Sequence, residues 1–133
     1  MGKYAHSKVM DYGLDYIQAN STRLLACVGQ PTNYTHATDL YAGGCRVADV
    51  AINATEFSIG DAPGGGRRLA IQGQSNFLIH VSGQVDHVAL VKDHADPAQQ
   101  ELLYVTDLTN SQQVTAGNTM TVPAWDIIIT NPS

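Results

Sequence analysis

Residues 77–92 read Phe-Leu-Ile-His-Val-Ser-Gly-Gln-Val-Asp-His-Val-Ala-Leu-Val-Lys. Two β-rich runs, Phe77–Ser82 and Val85–Lys92, flank Ser82-Gly83-Gln84-Val85. That tetrapeptide suits a two-residue type II′ turn in which Gly83 supplies the positive φ. The turn predicts a hairpin that sets Val81 against Asp86, His80 against His87, Ile79 against Val88 and Phe77 against Leu90. One face is then Phe77, Ile79, Val88 and Leu90; the other is Leu78, His80, His87 and Ala89, with Val91 beyond. A strand pair apolar on both faces is central in a sheet or covered by a partner.

The same texture extends in both directions. Arg23–Val28, Arg46–Asn53, Glu56–Ile59, Arg68–Gly73, Leu102–Leu108, Val114–Val122 and Trp125–Thr130 are short strand-like runs between turn residues. Residues 32–45, rich in Thr, Asn, Tyr and Gly, read as a long loop with one edge strand. The fold class is mainly β: an antiparallel β-sandwich or barrel of about seven to nine short strands. The one helical pattern lies at 6–20, where Met10, Leu14 and Ile17 recur at helical spacing and Asn20-Ser21 can end the helix. The chain divides into an N-terminal arm and short α-helix (1–22) and a β-domain (23–133) within a single domain.

Only 14% of the 133 residues are charged, against about 25% in an ordinary soluble domain. The deficit is filled by Gly, Ala, Thr, Ser, Asn and Gln. Charged residues are depleted in the cores of protein interfaces, so a neutral polar surface fits one that ends up against other protein. With seven Lys and Arg and a net charge of −5, no nucleic-acid partner is expected. No run of about 18 apolar residues exists, so no membrane-spanning helix is expected. The opening MGKYAHSKVMDYG has no apolar core of signal-peptide length, which predicts a protein made in the cytoplasm. Cys27 sits in an apolar run and reads as a small buried hydrophobe; Cys45 follows Gly43-Gly44 and reads as exposed. A reducing cytosol disfavours a disulfide between them, and one between subunits through Cys45 would need release into an oxidising environment.

Chemistry-bearing residues are few. His80 and His87 face each other in the predicted hairpin, with Asp93, His94 and Asp96 following. Opposed imidazoles with a carboxylate can hold a metal, but the HxH spacing of a cupin site is absent, and the simpler reading is hydrogen bonding within a half-buried face. Gly60–Arg68 lacks the GxxxxGK[ST] pattern of a phosphate loop and reads as a hairpin tip, with Arg67 and Arg68 as a candidate contact arm. No GxSxG context surrounds any serine. Asp11 and Asp15 read as a solvated helix face. Trp125, after Pro123-Ala124, reads as a core or interface anchor. Tyr12, Tyr16, Tyr34 and Tyr41 suit a protein-contact or glycan-binding surface. No catalytic residue, cofactor or metal is assigned.

The order of segments also resembles a group of small tailed-bacteriophage virion proteins encoded in head-gene clusters. The segments are Met10–Ile17, Leu24–Val28 with Gln30-Pro31-Thr32-Asn33-Tyr34, Gly66-Arg67-Arg68-Leu69, Ser82–Val91, Leu103-Tyr104-Val105-Thr106, Val114-Thr115-Ala116-Gly117-Asn118 and Pro123-Ala124-Trp125-Asp126-Ile127 with Asn131-Pro132. The resemblance covers most of the chain. It implies a virion structural role on the capsid surface: a capsid decoration (cement) protein bound to the major capsid protein, as a homo-oligomer with a trimer favoured. The N-terminal helix, the 29–45 loop and the 60–68 arm are its expected contacts. Two other classes stand beside it. A glycan-binding fibre or adhesin domain would use Tyr34, Tyr41 or Trp125, and a small metal-dependent β-barrel enzyme would use His80 and His87.

Overall fold

The structure, a computed structural model, describes residues 7–130. The expected arm at 1–6, the side chain of Met10 and the Asn131-Pro132 ending lie outside the described residues. The chain is mainly β, with antiparallel sheets and an N-terminal helix. Helix α1 (Ser7–Asn20) leads into β1 (Arg23–Cys27), a short helix α2 (Tyr34–Thr38), β2 (Arg46–Ala51), β3 (Phe57–Asp61) and β4 (Arg67–Ile71). Strands β5 (Gln74–Ile79), β6 (Gly83–Lys92), β7 (Glu101–Val114), β8 (Thr119–Val122) and β9 (Trp125–Ile129) follow. A six-stranded sheet runs β7-β6-β1-β2-β5-β8, and a three-stranded sheet runs β3-β4-β9. Together they form a sandwich.

The predicted hairpin does not exist. β5 pairs with β2 and β8, while β6 pairs with β1 and β7. His80 N–H and Val81 N–H both donate to the Val47 carbonyl, at 2.7 and 3.3 Å, so the chain crosses the sheet instead of folding back on itself. β1 explains the choice. Leu24 and Ala26 belong to one buried cluster and Leu25 and Cys27 to another, so β1 is apolar on both faces. β6 has the same character through Val88 and Leu90 on one side and Ala89 and Val91 on the other. Two such strands gain most by lying side by side in the sheet interior, where both faces leave water.

The inner face of the large sheet packs on Phe57, Leu69, Ile71 and Ile127 of the small one. Leu14 of α1, 1% exposed, joins this same core. Truncating such a side chain to alanine costs about 2–5 kcal/mol, so α1 is a structural part of the sandwich. Its end is fixed locally: Ser21 N–H and Oγ donate to the Ile17 carbonyl, at 3.0 and 2.6 Å, and Asn20 Nδ2 donates to the Tyr16 carbonyl at 2.8 Å. The outer face is covered by residues 29–45. There the expected edge strand is replaced by α2, capped by Asn33 Oδ1 accepting from His36 N–H at 2.8 Å. Ala37 and Cys45 are buried beneath it, which corrects the expectation of an exposed Cys45.

The Gly60–Gly66 turn joins β3 to β4 as expected, and Gly66 is its fixed point. With φ +89°, it lies so close to β9 that a Cβ would fall far inside 3.0 Å of the Ile129 carbonyl oxygen and 2.9 Å from Thr130 Cα. The single strand expected over Val114–Val122 divides at Gly117 into the end of β7 and β8.

Candidate functional site

A cleft of about 450 Å³ opens where the large sheet ends on both sides. β7 and β8 are its terminal strands, each paired on one side only, and both line this cleft together with the start of β9. The two terminal strands therefore border a common seam. Val88, Met120, Val122 and Trp125 supply its apolar floor. Asp107, Asn110 and Gln112 from β7, Thr121 from β8 and Asp126 from β9 supply a polar rim.

The wall contributed by β7 is irregular. The step from Val85 to His87 on β6 is matched by the longer step from Gln112 to Asp107 on β7, so three extra residues bulge out of the ladder. Bulges of this kind occur at sheet edges and re-aim side chains. The sequence carries a sign of it, because Thr109–Gln113 is an unbroken polar run inside a strand pattern. The opposite wall is held by a close backbone approach: a Cβ on Gly73 would lie 3.1 Å from Ala124 N and 3.3 Å from the Val122 carbonyl oxygen.

Trp125 anchors the floor. Its ring stacks on Tyr104 with centroids 6.1 Å apart and planes 28° from parallel. Its Nε1–H is buried and has no acceptor among the described residues. The stack is worth about 0.5–1.5 kcal/mol. An unmet buried donor costs about 1–3 kcal/mol. The indole therefore gains little from its present setting.

The other sequence candidates are dispersed. Tyr12, 69% exposed, and Tyr16 lie outward on α1, and the Tyr16 hydroxyl donates to Glu101, which raises the phenol above its ordinary pKa through that bond, burial and the carboxylate charge. Tyr41 is exposed beside Gly83. Tyr34 is not a free contact: its hydroxyl donates to Asp93 Oδ1 at 2.5 Å, and burial followed by this carboxylate raises its pKa. His80 and His87 do not face each other, because β5 and β6 are not paired. His80 Nε2 lies 2.9 Å from Asp49 Oδ1, and His87 Nδ1 lies 2.8 Å from Asp86 Oδ1. Among the described residues no three His, Cys, Asp or Glu side chains converge as a metal-holding group. His87 instead borders a polar hollow of about 330 Å³ with Gln30 and Asp107.

Arg67 and Arg68 are engaged within the chain. Arg67 grips Asp11 through Nε–Oδ1 at 2.8 Å and Nη2–Oδ2 at 3.2 Å, and Asp61 at 2.6 Å, so it ties the turn to α1. This also corrects the reading of Asp11 as merely solvated. Arg68 lies 3.6 Å from Asp126. Arg23 joins Asp49 and Asp93, each at 2.8 Å, Arg46 reaches Asp49 at 3.3 Å, and Lys92 lies 3.8 Å from Glu101. Every Lys and Arg side chain described beyond α1 is thus in an ion pair with this chain's own carboxylates. Burial opposes the charge on Asp49. Hydrogen bonds from His80 and Arg23 and the charges of Arg46 and Arg23 outweigh it, holding the carboxyl below its ordinary range. Asp93 is held low in the same way by Arg23, Tyr34 and Thr22, and Asp86 by His87 and the Gly29 N–H.

No helix among the described residues is long and apolar enough to cross a membrane. Comparison with protein-family models, curated proteins and solved structures finds no match.

Proposed function

We propose that this chain is a structural protein of a tailed-bacteriophage virion, a decoration protein that binds the assembled head and bridges subunits of the major capsid protein as a homotrimer. The reading gives it no catalytic role and no nucleic-acid or membrane partner. The observation that carries it is the fate of the charges. Arg23, Arg46, Arg67, Arg68 and Lys92 are turned onto internal carboxylates. Beside exposed carboxylates such as Asp15, Asp39, Asp96 and Asp107, the outward surface carries apolar and aromatic groups, with Tyr12, Tyr16, Leu40, Tyr41, Leu78 and Ile128 exposed. Such a surface is suited to contact with other protein, because its described cations are already paired and it has aromatic and apolar groups to bury. A modest contact repeated over symmetric capsid sites adds to a large stabilisation. The segment order set out above supports the same reading.

The experiment is to mix purified chain with heads assembled from the major capsid protein of the genome that encodes it. Saturable cosedimentation at a fixed stoichiometry, with heads that withstand higher temperature, is the expected result. A chain that stays in the supernatant, or heads that open at an unchanged temperature, refutes the proposal.

A further inference from the structure

We infer that the seam cleft is a docking site for an extended segment of another protein chain, added as a new strand along the free edge of β8, with a basic side chain meeting Asp107 and Asp126. The inference goes beyond the capsid reading and does not need it.

The edge is the first ground. β8 is paired with β5 alone, and Thr119-Met120-Thr121-Val122 contains no charge, proline or glycine. Charges and proline are among the features that blunt an exposed edge, whose unpaired N–H and C=O groups recruit other strands. The partner edge, β7, is interrupted by its bulge; β8, though short and followed by Pro123, carries no charge or bulge of its own. A strand of four residues is about 13 Å long and rich enough in β-favouring residues to template another.

Chemical complementarity is the second. The rim carries Asp107 and Asp126, and no Lys, Arg or His is among the described residues lining the cleft. Asp126 shares a solvent-exposed ion pair with Arg68 at 3.6 Å, and the ion pairs among the described residues leave Asp107 out. A cationic segment is therefore preferred over an anionic one. The floor of Val88, Met120 and Trp125 takes the apolar side chains that alternate with the basic ones along an extended strand. In strand addition the main-chain hydrogen bonds provide much of the affinity and the pockets select alternate side chains. A generic peptide of the right pattern is thus a fair probe.

Trp125 is the chain's one tryptophan, so its fluorescence reports on the cleft alone. The test titrates the folded chain with a lysine–valine alternating octapeptide, a glutamate–valine octapeptide and a chito-oligosaccharide, and follows amide exchange over residues 119–122. The lysine peptide is expected to shift Trp125 emission saturably and to slow amide exchange in β8. Replacing both acids (Asp107→Asn with Asp126→Asn) is expected to weaken it about threefold to tenfold. Both positions are exposed, so the variant folds. No response to the lysine peptide, equal binding of the glutamate peptide, a response to the saccharide alone, or an emission shift without slowed exchange each overturns the inference. None of these results bears on whether the chain cosediments with heads, so the two proposals fail separately.

Discussion

Replacing Gly66 by alanine tests the join between the small sheet's turn and β9. Gly64 and Gly66 lie two residues apart in the same turn, with φ of +83° and +89°. A Cβ on Gly64 meets nothing within 4 Å, so Gly64→Ala bears the left-handed backbone penalty alone. That penalty is about 1–2 kcal/mol. Gly66→Ala bears the same penalty and also drives a methyl into the Ile129 carbonyl, far closer than the 3.4 Å at which ordinary contacts begin. The obstacle is backbone, so no side-chain rotation relieves it. Either the turn or the end of β9 must move, and the Arg67–Ile129 pairing is the first casualty. Losing that pair and its hydrogen bonds adds about 1–3 kcal/mol. The expected total for Gly66→Ala is about 3–4 kcal/mol, roughly 2 kcal/mol beyond Gly64→Ala. At about 4 °C per kcal/mol for a domain of this size, the two variants melt roughly 8 °C apart. Parallel urea and thermal melts, followed by far-ultraviolet circular dichroism, measure the difference. Equal stabilities for the two variants would show that Gly66 is chosen for its φ alone and that the close approach to β9 carries no weight.

Acid should reveal the carboxylates that Arg23 and His87 hold low. Asp49, Asp86 and Asp93 are held below the ordinary Asp value of about 3.9, so the unfolded chain binds more protons than the folded one as pH falls. Their contribution is complete above about pH 5 and is lost as pH drops through the lowered folded values. Asp93→Asn should cost about 1 kcal/mol at pH 7, the groups being partly solvent-screened, and flatten the acid limb of stability against pH. If wild type and variant kept the same gap at pH 2.5, the carboxylate would not be the cause. The thiols give another test. Burial, with Cys45 and Asp86 nearby, pushes the Cys27 thiol up to about 12, and burial and Asp86 raise Cys45 as well. Thiolate is the reactive form. Native protein should leave both thiols untouched by Ellman's reagent at pH 8, and guanidinium should release both; rapid reaction of one native equivalent would place Cys45 at the surface after all.

Periodicity and turn chemistry were enough for most of the elements, though not for α2 or for the break at Gly117. The alternation in Arg46–Asn53, the apolar run at Arg23–Val28, the glycine turn at 60–66 and the Leu14–Ile17 stripe each depend on residues a few positions apart, and each element formed close to its expected place. Which strands became neighbours was beyond that reach. Ser82-Gly83 offers a local turn, yet β6 is worth more beside β1, about sixty residues earlier in the chain, because both strands are apolar on two faces. The histidine pair and the exposed Cys45 were both expectations about neighbours, and pairing or packing across the chain overturned each of them. Trp125 was legible as an anchor; the rim of Asp107, Asn110 and Gln112 was not, since a polar run says that a strand is interrupted and not what the interruption faces. The low charge was plain in the composition, but only the tertiary structure paired the described arginines and Lys92 with the chain's own carboxylates and left the edge of β8 open. Local sequence determines conformation because its forces act within a few residues; the arrangement of strands, and with it the cleft, is decided by how much apolar surface each long-range pairing removes from water.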